Sequence, residues 1–158
     1  MANDKLLLYQ MRKTFRLTDA RDLTGLDLKT LNTLIRREFL SFLDKDPIGP
    51  KRKKHEYIIS FEQLLWLKIF RLCIQGFHFR YDQFAKSWMD DILKAIAKGE
   101  NFLAIVRPVD KMDITLEPAG TYDVVMEVGR LGLVSLVINV QRMREDLIKN
   151  IEKMNGEK

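Results

Sequence analysis

Residues 18–40 read TDARDLTGLDLKTLNTLIRREFL: two short apolar repeats with one glycine between them. The first repeat has helical spacing, with Ala20 and Leu23 on one face, and it meets Gly25 where a helix should stop. Glycine takes the left-handed backbone that ends a helix without the clash a side chain would cause. Asp27 is then a good N-cap for a second helix, from Leu28 to about Phe39, since its carboxylate can accept from the unpaired amides of the first turn. That helix buries Leu31, Leu34 and Ile35. Its other side carries Lys29, Asn32, Thr33, Arg36 and Arg37. Two short helices joined by so tight a turn must cross steeply, which is the geometry of a helix-turn-helix.

The next segment, DKDPIGPKRKKHEYIIS over 44–60, cannot continue as helix because Pro47, Gly49 and Pro50 interrupt it. Four cations, Lys51, Arg52, Lys53 and Lys54, follow that turn, and Tyr57, Ile58 and Ile59 read as a short strand. The pattern is a hairpin with a basic tip, a wing. Ser60 caps an apolar helix, FEQLLWLKIFRLCIQ, which Gly76 closes. A further helix is expected over 81–98. In it Phe84, Trp88, Ile92 and Ile96 recur every fourth residue, a stripe that suits either the chain's own core or a second subunit. Trp66 and Phe70 likewise read as core or helix–helix contact. Residues 1–14 read as a leader of no assigned structure.

The period changes after Gly99. FLAIVRP and DITLEP read as two strands around VDKM, TYDVVMEVGRLG as a short helix, and VSLVINV as a buried strand. QRMREDLIKNIEKM reads as a final helix with Met143, Leu147, Ile151 and Met154 along one side. The expected fold is therefore mainly α with a small α/β part. A winged helix-turn-helix occupies 15–98, and a small β-β-α-β-α C-terminal module occupies 99–158.

Charge divides the chain in the same way. Residues 1–98 balance to +7 and residues 99–158 to −2, which together give the net +5. A basic front half suggests a polyanionic partner, although a solvated basic face would have the same balance. In a winged helix-turn-helix the second helix enters the major groove of double-stranded DNA and the wing lies against phosphates. Lys29, Thr30, Asn32 and Thr33, near the start of that helix, are then the candidate base readers. Asn32 is suited to a bidentate contact with adenine. Arg36, one turn later, suits a phosphate or a guanine, and Arg36 and Arg37 could equally offset the dipole at the helix C-terminus. Lys51, Arg52, Lys53 and Lys54 would supply affinity without choosing sequence. His55, in the same wing, reads as a phosphate or solvent neighbour and not as a metal ligand.

These residues carry a resemblance. FRLTDARDLTGLDLKTLNTLIR, the basic hairpin and ISFEQLLWLKIFRLCIQGF resemble the DNA-binding domain of the MerR family of transcription regulators over about 15–98. The likeness rests on the Leu-Thr-Gly-Leu turn, on Thr30-Leu31, on Ser60 at the start of the third helix and on Gly76-Phe77 at its end. It implies a winged helix-turn-helix regulator. Asn32-Thr33-Leu34 stand where the family usually has Arg-Tyr-Tyr, and Lys54 to Ile59 replace its Gly-Tyr-Arg-x-Tyr wing, so a different operator is expected. A similar core occurs in antitoxin-like and excisionase-like proteins. The alternative function is accordingly an antitoxin-like module whose C-terminal α/β unit binds a protein partner.

Other chemistries find little support. One cysteine, Cys73, and two distant histidines give no thiolate metal site, and Cys73 lies in an apolar helix as an inert thiol would. The sequence has no Gly-rich phosphate loop and no histidine placed beside a nucleophile. Asp110, Asp113 and Glu117 read as turn and edge-strand charges. No enzyme activity, cofactor or metal is expected. No apolar run is long enough to cross a membrane, and with 46% hydrophobic and 31% charged residues the chain reads as a folded cytoplasmic protein. A homodimer is expected from the two half-sites such readers use. A protein or small-molecule effector is expected at the C-terminal module.

Overall fold

The computed structural model describes residues 14–37, 44–48, 54–79, 90–107, 115–119 and 133–156. In chain order these form β1 (Phe15–Arg16), α1 (Leu17–Thr24), α2 (Leu28–Arg36), β2 (Asp44–Ile48), β3 (Lys54–Ile59) and α3 (Phe61–Arg71). A π-helical turn (Leu72–Gly76), α4 (described over 90–97), β4 (Phe102–Arg107), β5 (Thr115–Ala119), β6 (Leu133–Asn139) and α5 (Val140–Gly156) follow. The protein is mainly helical, with two small antiparallel sheets ordered β1-β3-β2 and β5-β4-β6.

Helix α3 is the central element. Ser60 and Gln63 start it reciprocally: the Gln63 amide donates to Ser60 Oγ at 3.2 Å and the Ser60 amide to Gln63 Oε1 at 2.8 Å. Its apolar residues face every direction. Phe61, Leu64, Leu65, Trp66, Leu67, Ile69 and Phe70 are all buried, as expected of a helix surrounded by other elements. Trp66 stacks on Phe70 with ring centroids 5.3 Å apart. Helices α1 and α5 pack on α3. Ala20, Leu23, Leu31, Leu34, Ile92, Leu103, Ile105, Ile138, Leu147 and Ile151 join it in one hydrophobic cluster, which is continuous across Gly99. Ile92 and Ile96 are fully buried within this chain. Phe84 and Trp88, the rest of their stripe, lie outside the described residues.

Four features differ from the sequence reading or extend it. Strand β1 is additional to the expected elements: Phe15 pairs with Ile59 and Arg16 with Ile58, making the hairpin a three-stranded sheet. Two residues carry too little pattern to announce a strand, and Phe15 is held there by burial. Helix α1 consequently starts at Leu17, and the Arg16 amide donates to Asp19 Oδ2 at 3.0 Å. In the hairpin, β2 includes Pro47, which an edge strand tolerates because the missing amide need not face a neighbour. Past Arg71 the expected straight helix widens into a π turn, in which the Phe77 amide reaches the Leu72 carbonyl at 3.2 Å.

The fourth difference lies on α5. Leu147 and Ile151 are buried and Met143 and Met154 pack against the core, as the stripe implies, but the buried face also takes in Val140 and Arg144. An arginine occupies a core position. Arg144 donates from Nη2 to the Ile96 carbonyl at 3.2 Å and from Nη1 to the Gly99 carbonyl at 3.4 Å, capping α4 from another helix. Burial pulls its pKa down, and the nearby Glu100 pulls it back up. The start of α5 is fixed by Asn139 Oδ1, which accepts from the Arg142 amide at 2.8 Å, and by the Asn101 carbonyl, which accepts from the amides of Val140 and Gln141.

In the C-terminal part, β4 lies between β5 and β6, antiparallel to both, with an irregularity in the β6 register after Ile105. The helix expected over 121–132 and the turn VDKM, with Asp110 and Asp113, lie outside the described residues. No helix among the described residues is long and apolar enough to cross a membrane.

Two outcomes test this packing. Leu34 is fully buried, and Leu34→Ala should lower the unfolding free energy by about 2–5 kcal/mol in urea titrations. Cys73 is buried, and desolvation pushes its thiol up to about 12. It should react with Ellman's reagent only after denaturation, and rapid labelling of the folded protein would contradict this burial.

Candidate nucleic-acid interface

The turn between α1 and α2 is built by four consecutive residues and one distant arginine. Thr24 is buried, and its hydroxyl donates to the Ala20 carbonyl at 2.6 Å while accepting from the Leu26 amide at 3.3 Å. Gly25 takes φ +74 and returns its amide to the Arg21 carbonyl at 2.9 Å, closing α1. Leu26 turns inward and is buried. Asp27 caps α2: Oδ1 accepts from the Thr30 amide at 2.6 Å and Oδ2 from the Thr30 hydroxyl at 3.0 Å. Arg71, on α3, donates from Nη1 to the Thr24 carbonyl at 3.1 Å and lies where a Cβ on Gly25 would stand. A side chain here is strained by the backbone angle and would have to displace the Arg71 guanidinium from its bond to Thr24.

Two bonds from Thr30 hold the Asp27 carboxyl below the usual carboxylate range, the backbone amide first and the hydroxyl second. The stability this cap contributes is complete above the ordinary carboxylate range. It is lost as pH falls through the lowered folded value.

With Leu31 and Leu34 buried beneath it, α2 turns a fixed face outward. Lys29, Asn32 and Arg36 are exposed, and Thr33 lies among them half-buried. The spacing i, i+3, i+4, i+7 places these four on one stripe. Their chemistry differs. The Thr33 hydroxyl donates to the Lys29 carbonyl at 2.8 Å, and Arg36 Nη2 donates to Thr33 Oγ1 at 3.4 Å. Thr30 is engaged with Asp27. The two threonines thus serve the helix itself, and Lys29, Asn32 and Arg36 carry the stripe's outward polar groups. Arg37 is exposed at the C-cap, with its amide bonded to the Thr33 carbonyl. Among the described residues Lys29, Arg36 and Arg37 make no ion pair. On α1, Arg21 is paired with Asp22 at 2.6 Å. Both of those side chains are exposed, and such a pair adds little to stability.

Of the residues expected in a wing, Lys54 pairs with Ile48 and His55 with Pro47 in the β2–β3 ladder. Lys51, Arg52 and Lys53 lie outside the described residues, as do the side chains of Lys54 and His55. Sequence reasoning missed the contributions of Thr24 and Arg71 to this site. Thr24 belongs to the Leu-Thr-Gly-Leu turn, but its bridging hydroxyl is visible only once the turn is formed. Arg71 is 47 residues from its acceptor, and no local pattern announces it. Among the described residues no cluster of His, Cys, Asp or Glu is arranged to hold a metal.

Removing the bridging hydroxyl with Thr24→Val should cost about 1–3 kcal/mol, because a buried amide and a carbonyl would be deprived of their shared partner. Gly25→Ala should cost at least roughly 1–2 kcal/mol from backbone conformation alone. Thermal unfolding checks both. Asp27→Asn keeps a capping acceptor but removes the titration, so its stability should vary less with pH in the acid range than the wild type's.

No model of a known protein family matches the chain, and a search of curated proteins finds no similar sequence.

Proposed function

We propose that this chain is a sequence-specific DNA-binding transcription regulator of the MerR-like winged helix-turn-helix kind, working in the cytoplasm as a homodimer. The observation that carries the reading is the α2 stripe: Lys29, Asn32 and Arg36 exposed on a helix whose opposite face is buried and whose entry is fixed by Thr24, Gly25, Asp27 and Arg71. A rigidly mounted short helix with polar and cationic groups at its start suits major-groove readout. The antiparallel β2–β3 ladder that follows it supports a wing with Lys51, Arg52, Lys53 and Lys54 about its turn. The absence of enzyme chemistry, metal and cofactor in the reading follows from the sequence. The C-terminal strands and α5 would carry assembly or the response to an effector. Ile92 and Ile96 pack in the chain's own core, so a dimer contact must use other surface.

Two measurements decide the reading. Replacing two of the four wing cations with alanine should weaken binding to all duplexes alike. It should also flatten the slope of log K against log salt by roughly 0.9 for each phosphate no longer neutralised. An unchanged slope would remove the wing from the interface. Asn32→Ala should relax the preference at one base position per half-site, by about 1–3 kcal/mol, and leave nonspecific binding nearly unaltered. Selection from a random duplex pool before and after the change reads this directly, and an identical selected site would take Asn32 out of the groove.

A further inference from the structure

A cleft of about 400 Å³ opens beside the helix-turn-helix, lined by Thr24 at the end of α1, by Lys68 and Arg71 of α3, by Leu72 and Gln75 of the π turn and by Met143 of α5. Its two cations stand three residues apart on α3, on one face of the helix. Lys68 is half-buried, and among the described residues it forms no hydrogen bond or ion pair. Arg71 commits Nη1 to the Thr24 carbonyl and Nε to Gln75 Oε1, at 3.1 Å each. Its Nη2 has no partner among the described residues. Leu72 and Met143 add an apolar wall beside these donors.

We infer that this cleft binds a small molecule bearing a carboxylate or phosphate group and a short apolar portion. Like charges at this helical spacing destabilise each other, and an oxyanion between them reverses that sign. The guanidinium fork offers the planar donors an oxyanion takes, and the ammonium supplies a second charge that needs no fixed geometry. Burial lowers the pKa of Lys68, Asp146 opposes this, and the Arg71 charge adds to it. The volume suits a small ligand, near the lower end of the usual range for such sites. The site is separate from the proposed DNA-reading stripe, and the inference holds whether or not the chain meets DNA.

The test is an amide NMR titration of the full chain, without DNA and at constant ionic strength, with inorganic phosphate and with hexanoate in parallel. At least one probe should saturate at roughly millimolar concentration, moving the amides of Gly25, Gln75 and Gly76. Which probe saturates distinguishes phosphate from carboxylate. Lys68→Met keeps the aliphatic stem and should weaken that binding about tenfold or more, with signals far from the cleft unmoved. Lys68→Gln serves as a second variant, and whichever remains folded decides. No saturation with either probe, or equal affinity in the folded variant, overturns the inference.

Discussion

The bond from Arg71 to the Thr24 carbonyl ties the end of α1 to the central helix. A short helix has few hydrogen bonds of its own and gains its stability from packing. The last carbonyls of α1 would otherwise lack partners just where the chain must reverse. Here the Thr24 carbonyl goes to Arg71 and the Arg21 carbonyl to the Gly25 amide, while the Thr24 hydroxyl bridges the Ala20 carbonyl and the Leu26 amide. Leu26 and Asp27 follow with little freedom left, and the direction of α2 is set before any of its outward side chains is considered. The presented stripe therefore depends on a residue that is not in either of the two helices.

Much of this architecture is legible in the sequence because it rests on local rules. Ser60 and Asp27 act where their short polar side chains reach the first free amides of a helix. Gly25 ends α1 because a positive φ is needed there. Leu31 and Leu34 are buried at helical spacing, and the strands around β4 and the hairpin follow alternation and breaker residues. The rest depends on partners distant in the chain. Phe15 and Arg16 become a strand only because β3 is beside them. Arg71 and Arg144 look like ordinary charged helix positions until the ends of α1 and α4 arrive next to them. The buried face of α5 is wider than its apolar pattern because Arg144, a charged residue, belongs to it. For the site, the outward positions of α2 follow from its period, but the engagement of the Thr30 and Thr33 hydroxyls does not.

The two long-range arginines do related work with different consequences. Each donates to carbonyls at the C-terminal end of a helix it does not belong to, where the backbone carries partial negative charge. Arg71 is exposed and keeps donors to spare, so it can serve the cleft as well as the turn. Arg144 is buried, and its bonds to Ile96 and Gly99 hold α4 against α5. Truncating it would remove one of the two donors to the Ile96 carbonyl, which also accepts from the Gly99 amide, and the side-chain donor to the Gly99 carbonyl, and would open a void in the core, whereas truncating Arg71 would release one turn.

The distribution of charge bears on how the chain would meet a polyanion. Residues 99–158 balance to −2 and residues 1–98 to +7. Within the first of these, Arg144 is buried beside the charge of Glu100. In the front half, Arg21 and Asp22 cancel in contact, while Lys29, Arg36 and Arg37 remain exposed and without an ion pair among the described residues. Against a polyanion, the +7 and −2 balances of the two halves would act as an orienting field, disfavouring approach by the acidic half before any contact forms. The proposed reading helix would then need only to settle into a groove that the field had already brought to it.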